Sequence, residues 1–411
     1  MQGSGAPYDV TIAGGGFVGR TLALALAKAA PEGFRIALID AEGPAGIKPD
    51  ARASALSAAS KSLLSVLGVW DAVARDAQPI TSIDITDSEL GASFRSHYLG
   101  FDDQPSPGQP GAYIVENAGL HSALAAAIAA APAITQLAPE TVADFQSGPY
   151  SVAVTLGSGA VIEGRLLIAA DGKRSRLRER AGIKCVGWSY PQIGIVTTVA
   201  HSKPHQGRAV QHFLPAGPFA MLPLSGNRTS IVWTEDKTRG DAIMRGSDEN
   251  FLAELTTRFG HRLGDIAVAG PRQFFPLDMQ LARSFIADRF ALIGDAAHVV
   301  HPLAGQGLNI GLRDVAALSE TVVEAARLGL DIGAHTELER YERWRRFDSA
   351  FSAAVMDGIN RLFSNDSTPL RAIRDLGLGI VERTPALKLF FVREASGTAG
   401  EVPRLLKGEL I

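Results

Sequence analysis

Apolar positions along the chain change period several times, and each change marks an element. Residues Tyr8–Ala30 read YDVTIAGGGFVGRTLALALAKAA. Val10–Ala13 is a short β-branched run and predicts a strand. After a glycine turn, Leu22, Leu24 and Leu26 stand among alanines and predict a mostly apolar helix. The run FRIALID predicts a second strand ending at Asp40, and Ala-rich Ala123–Ile134 a helix ended near Pro132. Leu166–Ala170 predicts a strand ending in Asp171-Gly172, and RFALIGDAAH one ending in Gly294-Asp295. Leu308, Leu312, Val315, Ser319 and Val322 then fall at three- and four-residue steps, which predicts a helix from about Gly305 onward. Between these regions IGIVTTVA, AVQHFL, FAMLPL and TSIVWT alternate in strand fashion.

This pattern predicts an α/β chain in discontinuous pieces. Residues 1–78, 111–185 and 280–330 are expected to form a Rossmann-like nucleotide-binding domain. Residues 79–110 and 186–279 are expected to form an inserted antiparallel-sheet substrate domain, and 331–411 a helical C-terminal region. A cleft between the two domains would suit a ligand. Leu214, Phe219, Met221 and Leu222 read equally as its lining or as sheet core.

Bulk properties narrow the class. The 411 residues suffice for two or three domains. A net charge of −3 offers no global basic field for nucleic acid. The single cysteine, Cys185, excludes an internal disulfide and any multi-cysteine metal site, in keeping with a reducing cytoplasm. No apolar run approaches the roughly 18–20 residues that span a bilayer. The opening MQGSGAPYDV lacks the basic and apolar regions of a secretory signal.

The chemistry gathers at strand ends. Gly14, Gly16 and Gly19 have G-x-G-x-x-G spacing between a strand and a helix, and Asp40 follows 21 residues after Gly19. Gly14 would allow the tight turn, Gly16 the approach of a pyrophosphate to the backbone, and Gly19 close helix–strand packing, with Asp40 accepting from a ribose. This context points to dinucleotide binding without separating NAD from FAD. Arg52 reads either as a phosphate partner or as a solvated arginine. Asp171 and Gly172 put a carboxylate and bare backbone at a strand end, though a polar turn before a basic helix face has the same pattern. Asp295, His298 and His301 suggest a metal only weakly, because a short-loop site usually needs a third or fourth strong ligand and the apolar Val299-Val300 spacing is not a recognised pattern. No G-x-S-x-G supports a hydrolase. The two histidines read as structural or pocket residues rather than general bases.

The GGGFVG fingerprint, the DGKRSRLR segment and the GDAAH segment occur in this order, and together they resemble the three FAD motifs of the single-component flavoprotein aromatic hydroxylases. Within that family, His301, Pro302, Gly305, Gln306, Gly307, Asn309, Gly311 and Asp314 match the H-P-x-x-G-Q-G-x-N-x-G-x-x-D pattern of the ubiquinone-biosynthesis branch. FLPAGPFAMLPL and GEVPRLLKG extend the resemblance over nearly the whole chain. Asp40 stands where many members carry Glu, and Arg52 where the family keeps an arginine near the FAD.

The resemblance implies non-covalent FAD, with NAD(P)H as co-substrate. It places Asp171 and Gly172 in a motif serving both, and Gly294 and Asp295 near the ribityl chain. The Gly305–Gly307 loop would then seat the isoalloxazine ring, because a helix start suits the negative charge of reduced flavin near N1 and the C2 carbonyl. Hydroxylation of a polyprenyl phenol by O2 through a C4a-hydroperoxyflavin is implied, with the flavin carrying the chemistry and no side chain assigned as nucleophile. A prenyl reductase of the same fold and a non-catalytic prenyl-binding or assembly protein stay open as alternatives. A cytoplasmic protein peripheral to the inner membrane is expected, and the apolar Ala386–Gly397 is a candidate contact for lipid or a biosynthetic complex, with core packing the plainer alternative.

Overall fold

A computed structural model describes residues 6–43, 50, 52–87, 97–102, 110–302, 305–364 and 401–411. The first sheet is built on five parallel strands in the order Phe290–Leu292, Val161–Ala169, Tyr8–Ala13, Ile36–Ile39, Ile134–Leu137. Its central strands are apolar on both faces because helices cover them, the usual state of a parallel sheet. A hairpin, Val142–Ser147 with Val152–Leu156, extends it antiparallel to Val161–Ala169. Registers align the strand ends: Ala13 lies opposite both Ile39 and Ala169, and Ala169 opposite Leu292. The segments after these strands therefore emerge along one edge, where α/β sheets bind ligands.

Among the described residues the second sheet has nine strands and includes Cys185–His201, Arg208–Leu214, Gly217–Leu224, Arg228–Asp236 and Gln273–Ala282. It is antiparallel except where Ser82–Asp87 pairs in parallel with Arg208–Leu214, a pairing its long intervening connection permits. One face packs Ile195, Phe219, Met221, Ile231 and Trp233 against Phe251 and Leu255 of the helix Asp248–Phe259. Leu214, Phe219 and Met221 are thus sheet core, while Leu222 lies against a separate cluster with Ala55, Ile80 and Ile114. That cluster joins the second sheet to a small third sheet of Ala53–Ser57, Ala112–Glu116 and Gln78–Pro79.

The chain crosses between sheets more often than its periodicity indicates. Gln273–Ala282 runs past residue 280 as one strand of the second sheet, and His298–Val299 pairs with Gln280 and Leu281 there. His298-Val299 has too short a pattern to be read as a strand. Two long helices complete the chain's frame, Gln306–Arg327 and His335–Phe363. The latter meets the expectation of a helical C-terminal region, and Ala386–Gly397 lies outside the described residues. At the end of the chain, Leu405, Leu406 and Ile411 return to the first core.

Candidate functional site

The three motifs meet at the aligned strand ends. Gly14 has φ +122°, and a Cβ there would stand 2.3 Å from the Ala170 carbonyl oxygen, so the glycine loop lies directly on the strand end before Asp171. Gly19 is equally confined, since a Cβ there would stand 2.0 Å from the Gly14 carbonyl oxygen. A Cβ on Gly294 would meet Val18 at 3.2 Å, which brings the Gly-Asp turn against the helix Phe17–Ala29. A Cβ on Gly16 or Gly307 would meet nothing within 4 Å. These two backbones face open space, as they must if a ligand is to approach them closely.

Both helix starts at this edge lack side-chain caps. Ser57, Ser175, Asp236 and Ser247 cap their own helices, whereas Gly16 and Gly305 cap nothing through a side chain. No cap side chain takes up the first N–H groups of Phe17–Ala29, and a helix start of this kind is a favourable place for negative charge. Gly305 enters its helix in the left-handed region, φ +63°, and a Cβ there would stand 3.1 Å from the Ala55 side chain.

Asp295 and Asp171 are both accessible to solvent, yet loss of hydration to the surrounding protein pushes both carboxyls up. Carboxylates shifted in this way at aligned strand ends are candidates for a functional site. Asp295 takes no hydrogen bond from the described protein, and its charge is offset only by the fields of His298, Arg52 and Lys173. An acceptor without a donor suits a hydroxylated ligand chain. At Asp171 the Ser175 hydroxyl opposes the rise. Gly172, at φ +83°, again has open space where a Cβ would be.

Other expected residues are placed differently. Asp40 is buried beneath the glycine loop: Arg20 Nη2 donates to Oδ2 at 2.9 Å, and the Glu42 N–H donates to Oδ1 at 3.0 Å. Two carboxylate oxygens still have lone pairs for a ribose. Arg52 donates from Nε and Nη2 to Asp50, both at 2.8 Å, and its guanidinium lies 5.1 Å from the Phe275 ring centre. It reaches the site through its field rather than through a contact with Asp295. Asn309 has its amide occupied by protein: Oδ1 accepts from Ser57 N–H (3.0 Å) and Ser60 Oγ (2.8 Å), while Nδ2 donates to Ala55 O at 2.8 Å. It positions the helix start on the small sheet. Pro302 accepts from the Gly305 N–H at 3.2 Å, and Gln306 opens the helix.

Arg178 and Asp314 lie inside the motifs, but their partners, and Arg20 and Arg345, escaped the sequence reading. Arg178 donates to the Ala296 carbonyl at 2.8 Å and so ties the Asp-Gly segment to the Gly-Asp turn. Asp314 is fully buried and accepts from the Gly294 N–H (2.9 Å), His298 Nε2 (2.6 Å) and Arg345 Nε (2.8 Å). These partners hold its carboxyl below the ordinary range despite burial. An arginine inside an apolar helix was a usable signal for Arg20. Arg345, 31 residues beyond Asp314, left none.

The FAD binding domain family matches residues 7–349. Ubiquinone hydroxylase UbiL of Rhodospirillum rubrum is 44% identical over 406 residues, covering 97% of this chain and 92% of that protein. The 3-demethoxyubiquinol 3-hydroxylase of Escherichia coli is 36% identical over 398 residues, covering 95% and 99%. In fold, p-nitrophenol 4-monooxygenase PnpA from Pseudomonas putida superposes with a TM-score of 0.77 at 19% identity, covering 96% of this chain and 99% of that one. Glycine loop, strand-end carboxylates and uncapped helix starts fit a bound FAD. The chain belongs to the FAD-dependent aromatic hydroxylases, the flavoprotein monooxygenases, in their ubiquinone-biosynthesis branch.

Proposed function

We propose that this monooxygenase hydroxylates the aromatic ring of a polyprenyl phenol on the way to ubiquinone, using NAD(P)H and O2. The observation that carries the site assignment is the unpartnered Asp295 carboxylate at the aligned strand ends beside two uncapped helix starts. Bound FAD, reduced by NAD(P)H, supplies oxygen activation and oxygen-atom transfer. The chain's own residues bind and orient it. Gly14, Gly16 and Gly19 admit the pyrophosphate to the helix start, with Asp40 at the ribose. Asp295 and Gly294 take the ribityl chain, and Asp171 and Gly172 close the cleft beside it. Pro302, whose carbonyl accepts from the Gly305 N–H, together with Gly305 and Gln306 shapes the turn that presents the Gly307 backbone and its helix start where reduced flavin concentrates negative charge. Asn309 fixes that loop, and Arg52 adds positive field.

We assign the nucleotide-binding role to 1–78, 111–185 and 280–330, substrate binding to 79–110 and 186–279, and a helical C-terminal role to 331–411. Among the described residues no helix is long and apolar enough to cross a membrane. Peripheral contact with the inner membrane from the cytoplasmic side would bring the enzyme to a prenylated substrate. Contact with a biosynthetic complex would serve the same end.

The direct test supplies purified, FAD-loaded protein with NAD(P)H, labelled O2 and a prenylated phenol. Phenol-stimulated NAD(P)H oxidation with one labelled oxygen atom in the ring product is expected. Oxidation yielding only hydrogen peroxide with every phenol tried would exclude ring hydroxylation. Asp295→Ala is expected to weaken FAD binding at least about tenfold, the scale of one lost charge-assisted hydrogen bond. Its apoprotein should melt no lower than wild type, because a poorly hydrated carboxylate without a partner has been removed. Flavin titration and thermal unfolding check both, and undiminished flavin affinity would remove Asp295 from the site.

A further inference from the structure

His301 stands apart from the other buried histidines. It is 1% exposed, and among the described residues neither ring nitrogen has a hydrogen-bond partner. His298 is bonded to Asp314, while His201 contacts the Lys203 carbonyl and the Thr229 hydroxyl. The polar groups next to His301 are already engaged. Tyr190, from the second sheet, meets the imidazole edge to face at 5.2 Å, but its hydroxyl donates to Asp357 Oδ1 at 2.6 Å. The other Asp357 oxygen takes Arg361 Nε at 2.9 Å. Burial pushes the imidazole down to about 4, with Asp357 opposing only weakly, so the ring is neutral at physiological pH.

An unsatisfied buried donor and acceptor is a standing cost that proteins rarely carry without use. His301 lies four residues before Gly305, at the mouth of the loop assigned to the flavin ring. It meets Tyr190 of the second sheet and lies within the field of Asp357 on the helix His335–Phe363. We propose that His301 binds substrate, its neutral imidazole accepting a hydrogen bond from the ring hydroxyl of the phenol. A neutral imidazole has one lone-pair acceptor and one N–H donor, which matches a phenol hydroxyl without bringing a charge into a dry pocket. An O–H···N bond there also draws the phenol towards phenolate character, making the ring richer in electrons for oxygen transfer. This inference rests on the ring-hydroxylase reading above.

The experiment measures binding to the FAD-loaded protein through perturbation of the flavin absorption. The two probes are 2-prenylphenol and its hydroxyl-free counterpart, prenylbenzene. Wild type should prefer the phenol about tenfold, as one hydrogen bond to a buried partner implies. His301→Phe should bind the two equally with unchanged flavin content, and His301→Asn should recover part of the preference. His301→Leu is a second apolar variant, should the larger ring disturb packing. Retention of the phenol preference in either apolar variant overturns the assignment, as does a wild type that binds both probes equally. Wild type that binds neither probe would instead count against the ring-hydroxylase reading, and this inference would fall with it.

Discussion

A Gly14→Ala variant is expected to fold and to purify almost free of flavin. Gly14 sits at φ +122°, where an L-residue is strained by roughly 1–3 kcal/mol. The new methyl would also stand 2.3 Å from the Ala170 carbonyl oxygen, a backbone atom at the end of a buried strand that cannot rotate aside. The loop must therefore lift away from the strand. Lifting moves Gly16 and the start of the helix Phe17–Ala29, the N–H groups that would meet the pyrophosphate. The strain is small against a whole-domain stability of about 5–15 kcal/mol, so the sheet should survive. Affinity should not, because a tenfold loss needs only about 1.4 kcal/mol. The ratio of flavin to protein absorbance on purification, followed by FAD titration, measures the effect. A stoichiometric yellow protein would show that the loop is not the pyrophosphate seat.

Asp314→Ala should have the largest effect on stability. The substitution removes one of the two carboxylates that pair with buried Arg345, leaving only Asp348 at Nη1, and strips the Gly294 N–H and His298 of their acceptor. Breaking a buried ion pair from one side costs about 3–5 kcal/mol. Much of that is the desolvated guanidinium left behind. Asp314→Asn should cost less in shape but still lose the charge. Chemical denaturation measures both. A loss below about 1 kcal/mol for the alanine variant would mean that the network relaxes without consequence. The same residue predicts a pH dependence. Its folded carboxyl is held below the ordinary value, so its stabilising contribution is complete above the unfolded value near 4. That contribution is lost as pH falls through the lower folded value. Wild type should therefore lose stability on acidification in this range more steeply than Asp314→Asn.

Much of the architecture was legible because it is local. The glycine spacing, the β-branched run before it and the apolar helix after it are properties of consecutive residues, and the strand–loop–helix unit followed from them. So did the helix after Gly305, whose stripe of apolar positions is read within a few turns. Asp40 illustrates the limit. Its place at the end of a strand was visible, but the buried Arg20 that holds it depends on how far the glycine helix sinks onto the sheet. Asn309 is a similar case. The motif marks it, and only the small sheet of Ala53–Ser57 and Ala112–Glu116 shows that its amide is engaged by Ala55, Ser57 and Ser60.

Sequence by itself determined the elements, the dinucleotide fingerprint and the family, because each rests on periodicity or on short motifs with fixed spacing. Tertiary structure alone decided which charges meet. The Asp314–Arg345 pair, the Arg178 contact with Ala296, the parallel pairing of Ser82–Asp87 and the return of His298-Val299 to the second sheet all join residues far apart in the chain. Such contacts are selected by the packing of whole layers, and no local pattern encodes which distant partner will be brought within hydrogen-bond distance.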